Sequence, residues 1–325
     1  MAGAATRLLR EGYKMFKQEL FTGKEILSFK LRELFSAQGY SLYEMNTFEP
    51  YSFYLDNMDF LSSKDILYFA DKDGTLMALK PDITLSIIKN LDTTVDKHKL
   101  YYSENVYRVP RASEKFQEIL QFGVEVIGRL SDEDMFHLIY LAAKSLLIID
   151  DNPVLLISDN SIYQKLLEKA GLSKMHDQIF TAFQNKNLML LNEILQDSAE
   201  EKYIDIFNSL LSLHLPLDVG IKELENILDD EIFRVNIEYL QDLYHYLAQK
   251  DLQTKVLLDF SIPEGLKYYD KISFIGIVPE VSSEILRGGE YSNLVRTKEK
   301  SYLASGFAIY LGKIDFNGSA KWKTV

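Results

Sequence analysis

The chain contains no cysteine in 325 residues, so neither a disulfide framework nor a thiolate metal site can form. Its five histidines, His98, His137, His176, His214 and His245, lie far apart without a ligand spacing; no metal site is expected, and no cofactor is predicted. No apolar run approaches the roughly 20 residues of a membrane span. The opening segment MAGAATRLLREGYKMFKQEL is amphipathic and charged throughout, unlike a secretory signal. A cytoplasmic protein without membrane contact is the expectation. Excess positive charge is also missing. A net charge of -12 argues against a protein whose main task is to grip a phosphate backbone, because that affinity comes from lysine and arginine. No GxGxxG or Walker loop opens a helix, and there is no internal repeat. What remains is an ordinary globular composition, 47% hydrophobic and 26% charged, long enough for one large domain and a smaller one.

The chain is organised around Tyr101 to Gly128, YYSENVYRVPRASEKFQEILQFGVEVIG, two apolar runs joined by a charged turn. Pro110 marks the loop, since it cannot donate to a ladder. Ile119, Phe122, Val124, Val126 and Ile127 mix period two with a continuous apolar stretch, as in a strand buried on one face and partly on the other. An antiparallel hairpin with a long polar tip follows. It sets Arg108 at the end of one strand and points Gln121 and Glu125 the same way from the other, which reads either as a pocket floor of mixed charge or as a surface hairpin whose arginine meets a neighbouring carboxylate.

The flanking segments read in order. KEILSFKLRELFSAQGY carries apolar residues at helical spacing and stops at Gly39; the strand YSLYEMNTFEP comes next. Ile66 to Ala70 and Leu76 to Leu79 form a second hairpin around Asp73-Gly74. Pro81 and Asp82 precede LSIIKN as a helix start. After the organising hairpin, Ser131 and an acidic first turn open a helix. Leucine at helical spacing then predicts a helical insertion at about 160–250. Strand composition returns from Lys255 to Glu280, RGGEYSNL reads as a glycine turn, and YLASGFAIYLGKI is a last buried strand. The order fits an α+β domain, helices flanking an antiparallel sheet, better than a doubly wound one.

Four stretches together resemble one family: LKPDIT (Leu79 to Thr84), the hairpin from Val106 to Gly128 ending QFGVEVIG, EGLKYYDKISF (Glu264 to Phe274), and RGGEYSNLV with SGFAIYLGKI. They are similar to the catalytic core of class II aminoacyl-tRNA synthetases, specifically histidyl-tRNA synthetases, over essentially the whole chain. The resemblance implies a six- or seven-stranded antiparallel sheet, a homodimer, and a pocket for histidine and ATP over the sheet. On the amino-acid side, Asp82 and Thr84 stand where the family has an acidic residue and a threonine that meet the amino acid. Gln121 and Glu125 match hairpin positions lining the same pocket, and Tyr268 and Tyr269 match a tyrosine pair beside the imidazole. From the residues alone, the tyrosines also read as a strand pair with one ring in the core.

The nucleotide side departs from the family, with a common sign. Glu264 replaces the arginine opening RGLDYY, and Glu290 replaces the arginine of GGRYD. The closing glycine-leucine-glutamate-arginine reads Tyr310-Leu311-Gly312-Lys313, and Val109-Pro110 replaces a glutamate. Arg108 alone is unchanged. Unit charges ~4 Å apart at an effective dielectric of about 20 interact by roughly 4 kcal/mol, so replacing attraction by repulsion costs about 8. Adenylation is therefore expected to be lost. With only a dozen residues after Lys313, no C-terminal anticodon-binding domain is expected, and with the acidic balance no tRNA role. These features resemble the regulatory subunits of short-form ATP phosphoribosyltransferase, a family of synthetase paralogues in the first step of histidine biosynthesis. That resemblance implies a short catalytic subunit as partner in a hetero-octamer, and feedback inhibition by L-histidine. The alternative, kept open by Arg108 with Arg111 and Lys115, is a synthetase-like enzyme that activates an amino acid for a non-tRNA acceptor.

Overall fold

A computed structural model describes residues 21–58, 61, 66–92, 94–109, 114–262, 269, 271–279, 281–291 and 303–316. The first helix, α1 (Gly23–Ala37), is set by a capping box in which Thr22 and Glu25 satisfy each other's backbone donors. Leu27, Leu31 and Phe35 form its buried stripe. Gly39, at φ +82°, ends it in the left-handed region that glycine enters without strain.

The expected strand after Gly39 is two short ones. β1 (Ser41–Leu42) and β2 (Phe48–Pro50) enter different sheets. α2 (Tyr51–Leu55), β3 (Tyr68–Ala70) and β4 (Leu76–Leu79) follow, with Gly74 at φ +86° turning the β3–β4 hairpin. Asp82 then caps α3 (Ile83–Lys89) by accepting from the Leu85 amide at 3.0 Å, as a residue placed just before the apolar run should.

The organising hairpin consists of β5 (Lys97–Arg108) and β6 (Gln117–Gly128), twelve residues each. α4 (Asp132–Ile149) begins with a Ser131–Asp134 capping box. β7 (Val154–Asp159) and the helices α5 (Asn160–Lys169), α6 (His176–Gln184), α7 (Leu188–Leu195) and α8 (Glu201–Ser212) come next. A three-residue strand, β8 (His214–Pro216), interrupts the helices before α9 (Leu217–Ile227) and α10 (Arg234–Ala248). The stretch is thus helical with one short edge strand; three residues are too few to show a period. β9 (Val256–Asp259), β10 (Ile272–Ile277), β11 (Leu286–Glu290) and β12 (Leu303–Tyr310) complete the order.

Among the described residues these strands build a nine-stranded sheet, β1-β5-β6-β12-β11-β10-β7-β9-β8, and a three-stranded sheet, β2-β4-β3. The large sheet is mixed rather than wholly antiparallel, because β1 joins β5 and β7 joins β9 in parallel. RGGE is strand rather than turn: Gly288 and Gly289 pair with Phe307 and Gly306 in β12. One face of the sheet, bearing Phe122, Val124, Phe307, Phe274 and Ile157, is buried under α1 and α4. Phe35 anchors it, its ring centroid 5.8–6.1 Å from those of Tyr101, Phe122 and Phe307. Burying such a ring is worth roughly 1.5–3 kcal/mol. The opposite face carries the polar residues.

Candidate functional site over the open face of the sheet

Side chains alternate along a strand, so the register decides which residues meet. Leu100, Glu104 and Arg108 of β5 stand opposite Glu125, Gln121 and Gln117 of β6, all on one face. From Glu125 the same row runs to Gly306, Gly289, Ser273 and Ser158 on the next four strands. Beyond Glu125 this row has only glycine and serine, which leaves room for other side chains to lie over it. The glycines are needed for contact, not for turning. A Cβ at Gly306 would overlap the Glu125 carboxylate, and one at Gly289 would overlap the Tyr269 ring.

Glu125 is 3% exposed. Its Oε1 accepts the Thr84 hydroxyl at 2.9 Å, while buried Oε2 has no hydrogen-bond partner among the described residues. Burial pushes this carboxyl up to about 8, the Asp82 charge adding to the shift and the Thr84 hydroxyl opposing it. Asp82, which caps α3, is itself raised by burial, against the pull of the Leu85 amide and the Arg108 charge. Buried Lys80 meets Glu104 at 2.5 Å, and its carbonyl accepts from the Tyr107 amide at 3.0 Å. These bonds dock LKPDIT on β5. Gln121, 6% exposed, lies between Glu104 and Tyr310 in the register.

Tyr269 is buried in an apolar cluster with Ile83, Ile87, Tyr102, Ile127, Tyr291 and Ala304. Its ring is therefore both core and wall. It lies over Gly289, beside the carboxylate over Gly306. Asp82, Thr84, Gln121, Glu125, Tyr269 and Arg108 thus share one face of the sheet and the helix above it. Tyr268 and Glu264 lie outside the described residues, as do Pro110 and Arg111 of the hairpin tip.

Two residues of the predicted nucleotide side stand apart. Glu290 pairs with Ser305 one place along from Gly289, so it points to the other face, where its charge helps raise the Tyr239 hydroxyl of α10, after burial. Lys313 donates to the Glu284 carbonyl at 2.7 Å and lies 3.5 Å from its carboxylate. Arg287 lies 3.3 Å from that carboxylate. Glu284 and Arg287 were not singled out from sequence as partners. Neither the Arg-Gly-Gly run nor a glutamate three residues earlier signals an ion pair until the strand register is known.

The arrangement suits a small ligand that is cationic or rich in N–H donors. A buried carboxylate oxygen without a donor costs several kcal/mol unless the group is protonated or a ligand supplies the bond. Among the described residues no group of three or more His, Cys, Asp or Glu could hold a metal ion.

The histidyl-tRNA synthetase family model matches residues 19–314. The ATP phosphoribosyltransferase regulatory subunit of Caldanaerobacter subterraneus subsp. tengcongensis is 28% identical over 328 aligned positions, covering 94% of this chain and 81% of that protein. That of Thermoanaerobacter pseudethanolicus is 28% identical over 309, covering 93% and 80%. Among solved structures, an ATP phosphoribosyltransferase regulatory subunit/histidyl-tRNA synthetase from Bacillus halodurans superposes with a TM-score of 0.78 at 21% identity, covering 89% of this chain and 77% of the other. The ATP phosphoribosyl transferase (HisG:HisZ) complex from Thermotoga maritima gives 0.68 at 18%, covering 89% and 97%. The two structures agree with the fold described above.

Proposed function

The chain belongs to the histidyl-tRNA synthetase family, and from that premise we propose that it is a regulatory subunit of ATP phosphoribosyltransferase that binds L-histidine over the sheet and carries no catalytic step of its own. The names of its relatives support the first part. The buried Glu125 oxygen, unpartnered among the described residues, carries the second. In this reading the imidazole N–H of the ligand supplies the missing donor to Oε2, and its plane lies against the aromatic wall. Asp82 pairs with the ammonium of the ligand, and Gln121, four residues from Glu125 on the same face of the strand, supplies an orienting hydrogen bond. Thr84 braces the carboxylate between them.

Activating an amino acid requires cations aimed at the phosphates of ATP. Here Lys313 and Arg287 hold Glu284, and Glu290 turns to the far face. Both observations favour regulation over adenylation. The partner is the short-form catalytic subunit, in a hetero-octamer containing homodimers of this chain, and histidine biases the assembly toward its inhibited arrangement. Such coupling is reciprocal, so the substrates of the catalytic subunit must weaken histidine binding by the same factor.

The test is phosphoribosyltransferase turnover by a short-form catalytic subunit, with and without this chain, titrated with L-histidine. Activity is expected only in the mixture and is expected to fall as histidine rises. A catalytic subunit left unchanged by saturating amounts of this chain overturns the reading. Exchange of pyrophosphate into ATP with any amino acid would instead support the synthetase-like alternative.

A further inference from the structure

Asn160 joins the helical layer to the pocket wall. It follows Asp159 at the end of β7, opens α5, and is 2% exposed. Its backbone amide donates to the Lys271 carbonyl at 2.7 Å. Its side-chain amide donates to the Tyr269 carbonyl at 3.1 Å, and its Oδ1 accepts from the Ser273 hydroxyl at 3.3 Å. Three polar groups of one residue therefore hold a single stretch of chain. The β7–β10 ladder ends at Asp159 opposite Ile272; Asn160 extends the grip past that end, to the residue whose ring lies over Gly289.

The other side of the turn is equally well anchored. Asp159 accepts from the Ser161 amide at 2.9 Å, which caps α5, and from the Asn236 side chain of α10 at 2.8 Å. Lys165 of α5 in turn donates to Asn236 at 2.5 Å. Asp159, Asn160 and Asn236 are all nearly fully buried. A buried amide with every group bonded fixes one geometry, since any shift leaves a desolvated donor or acceptor unmet. An apolar residue at 160 would fill the space without specifying where Tyr269 stands.

We propose that Asn160 is a positioning residue of the ligand pocket: it holds the Tyr269 backbone so that the ring stands beside Glu125, and it ties that ring to helices α5 and α10. The inference rests on the histidine reading of the pocket. It makes the helical layer a determinant of histidine affinity although no helix after α4 supplies any of the residues assigned to the ligand.

Calorimetric titration of L-histidine into the wild type, Asn160→Ala, Tyr269→Ala and the double variant tests this. Loss of one buried hydrogen bond is of order tenfold in affinity, so Asn160→Ala is expected to raise Kd about tenfold. In the Tyr269→Ala background the same change should alter Kd less than about twofold, while melting temperature falls by a similar amount in both. A residue serving stability alone would lower the melting temperature and leave the Kd of Asn160→Ala at the wild-type value. That result, or equal Kd effects in the two backgrounds, overturns the inference. If Asn160→Ala does not fold, Asn160→Ser takes its place. If the wild type takes up no histidine, the proposed function fails, and the role of Asn160 is decided by amide hydrogen exchange in Asn160→Ser. Faster exchange at Tyr269 and Lys271 than in the β5–β6 hairpin sustains it, and unchanged exchange there overturns it.

Discussion

Gly289 and Gly306 face each other across β11 and β12, and each leaves room for a neighbour: Gly289 for the ring of Tyr269, Gly306 for the carboxylate of Glu125. The proposed pocket is defined as much by these two missing side chains as by the groups assigned to it. Neither glycine adopts a positive φ, so conformational freedom does not explain them. Space does.

A methyl group at Gly306 should therefore act on the ligand before it acts on the strand. Gly306→Ala forces the Glu125 carboxylate from its place, and we expect L-histidine affinity to fall at least about tenfold, or 1.4 kcal/mol, in calorimetric titration. Gly312→Ala is the control. Nothing lies within 4 Å of a Cβ there, and its effect on stability should stay within about 0.5 kcal/mol. Equal affinity in the two variants would remove Gly306 from the pocket.

The same glycines show where sequence reasoning stops. Two adjacent glycines read locally as a turn, yet here they answer to a ring and a carboxylate brought from elsewhere in the chain. Once the run is known to be strand, parity alone sends Glu290 to the face opposite Gly289. The hairpin was legible because its signals are local: alternation in β6, and a four-residue spacing that sets Gln121 and Glu125 on one face. The Asp82 cap was legible for the same reason. The bond from Asn160 to Tyr269 crosses 109 residues and has no periodicity to announce it.

Asp259, 1% exposed, moors the helical layer at the other end of the sheet. It accepts from Lys186 and His214, each at 2.8 Å, and from the amide and hydroxyl of Ser261 at 2.8 and 2.6 Å. Burial pushes its carboxyl up, but these donors outweigh burial and hold it below the ordinary value. A depressed folded-state value stabilises above the unfolded pKa of about 3.8–3.9 and loses that contribution as pH falls through the folded value. Both partners are about half exposed, so we expect Asp259→Asn to cost about 2 kcal/mol at pH 7, shrinking as the pH is lowered to about 2. Urea midpoints at the two pH values measure it. An undiminished cost in acid would show that the carboxylate charge is not what holds the helices.

Lys313 provides the contrast between a regulatory subunit and a nucleotide-activating enzyme. Its ammonium is engaged with Glu284, and both side chains are partly exposed, where an ion pair is worth about 0–1 kcal/mol. Lys313→Ala should change stability by less than about 1 kcal/mol. It should also leave activation of the catalytic subunit, and inhibition by histidine, within about twofold, well under the 1.4 kcal/mol of a tenfold change. Collapse of either activity in the steady-state assay would return Lys313 to the functional site.

Glu125 sets ligand binding against stability, and pH separates the two. Its folded-state carboxyl stands at about 8 because burial disfavours the charge, whereas in the unfolded chain it titrates near 4.3. Between those values the folded protein holds a proton that the unfolded chain releases, so stability falls as pH rises through this window. At 1.36 kcal/mol per pKa unit the loss by pH 8 is on the order of 4–5 kcal/mol. Glutamine keeps the shape and never ionises. Glu125→Gln should therefore match the wild type near pH 4, exceed it in melting temperature by several degrees near pH 8, and bind L-histidine at least about tenfold more weakly there. Wild-type affinity should rise from pH 6 toward 8 as the carboxylate becomes available to the ligand, beyond what titration of free histidine accounts for. Thermal melts and titrations across that range decide it: a variant no more stable than the wild type at pH 8 means that the carboxyl ionises freely in the folded protein, and the open oxygen then has water rather than a ligand to answer to.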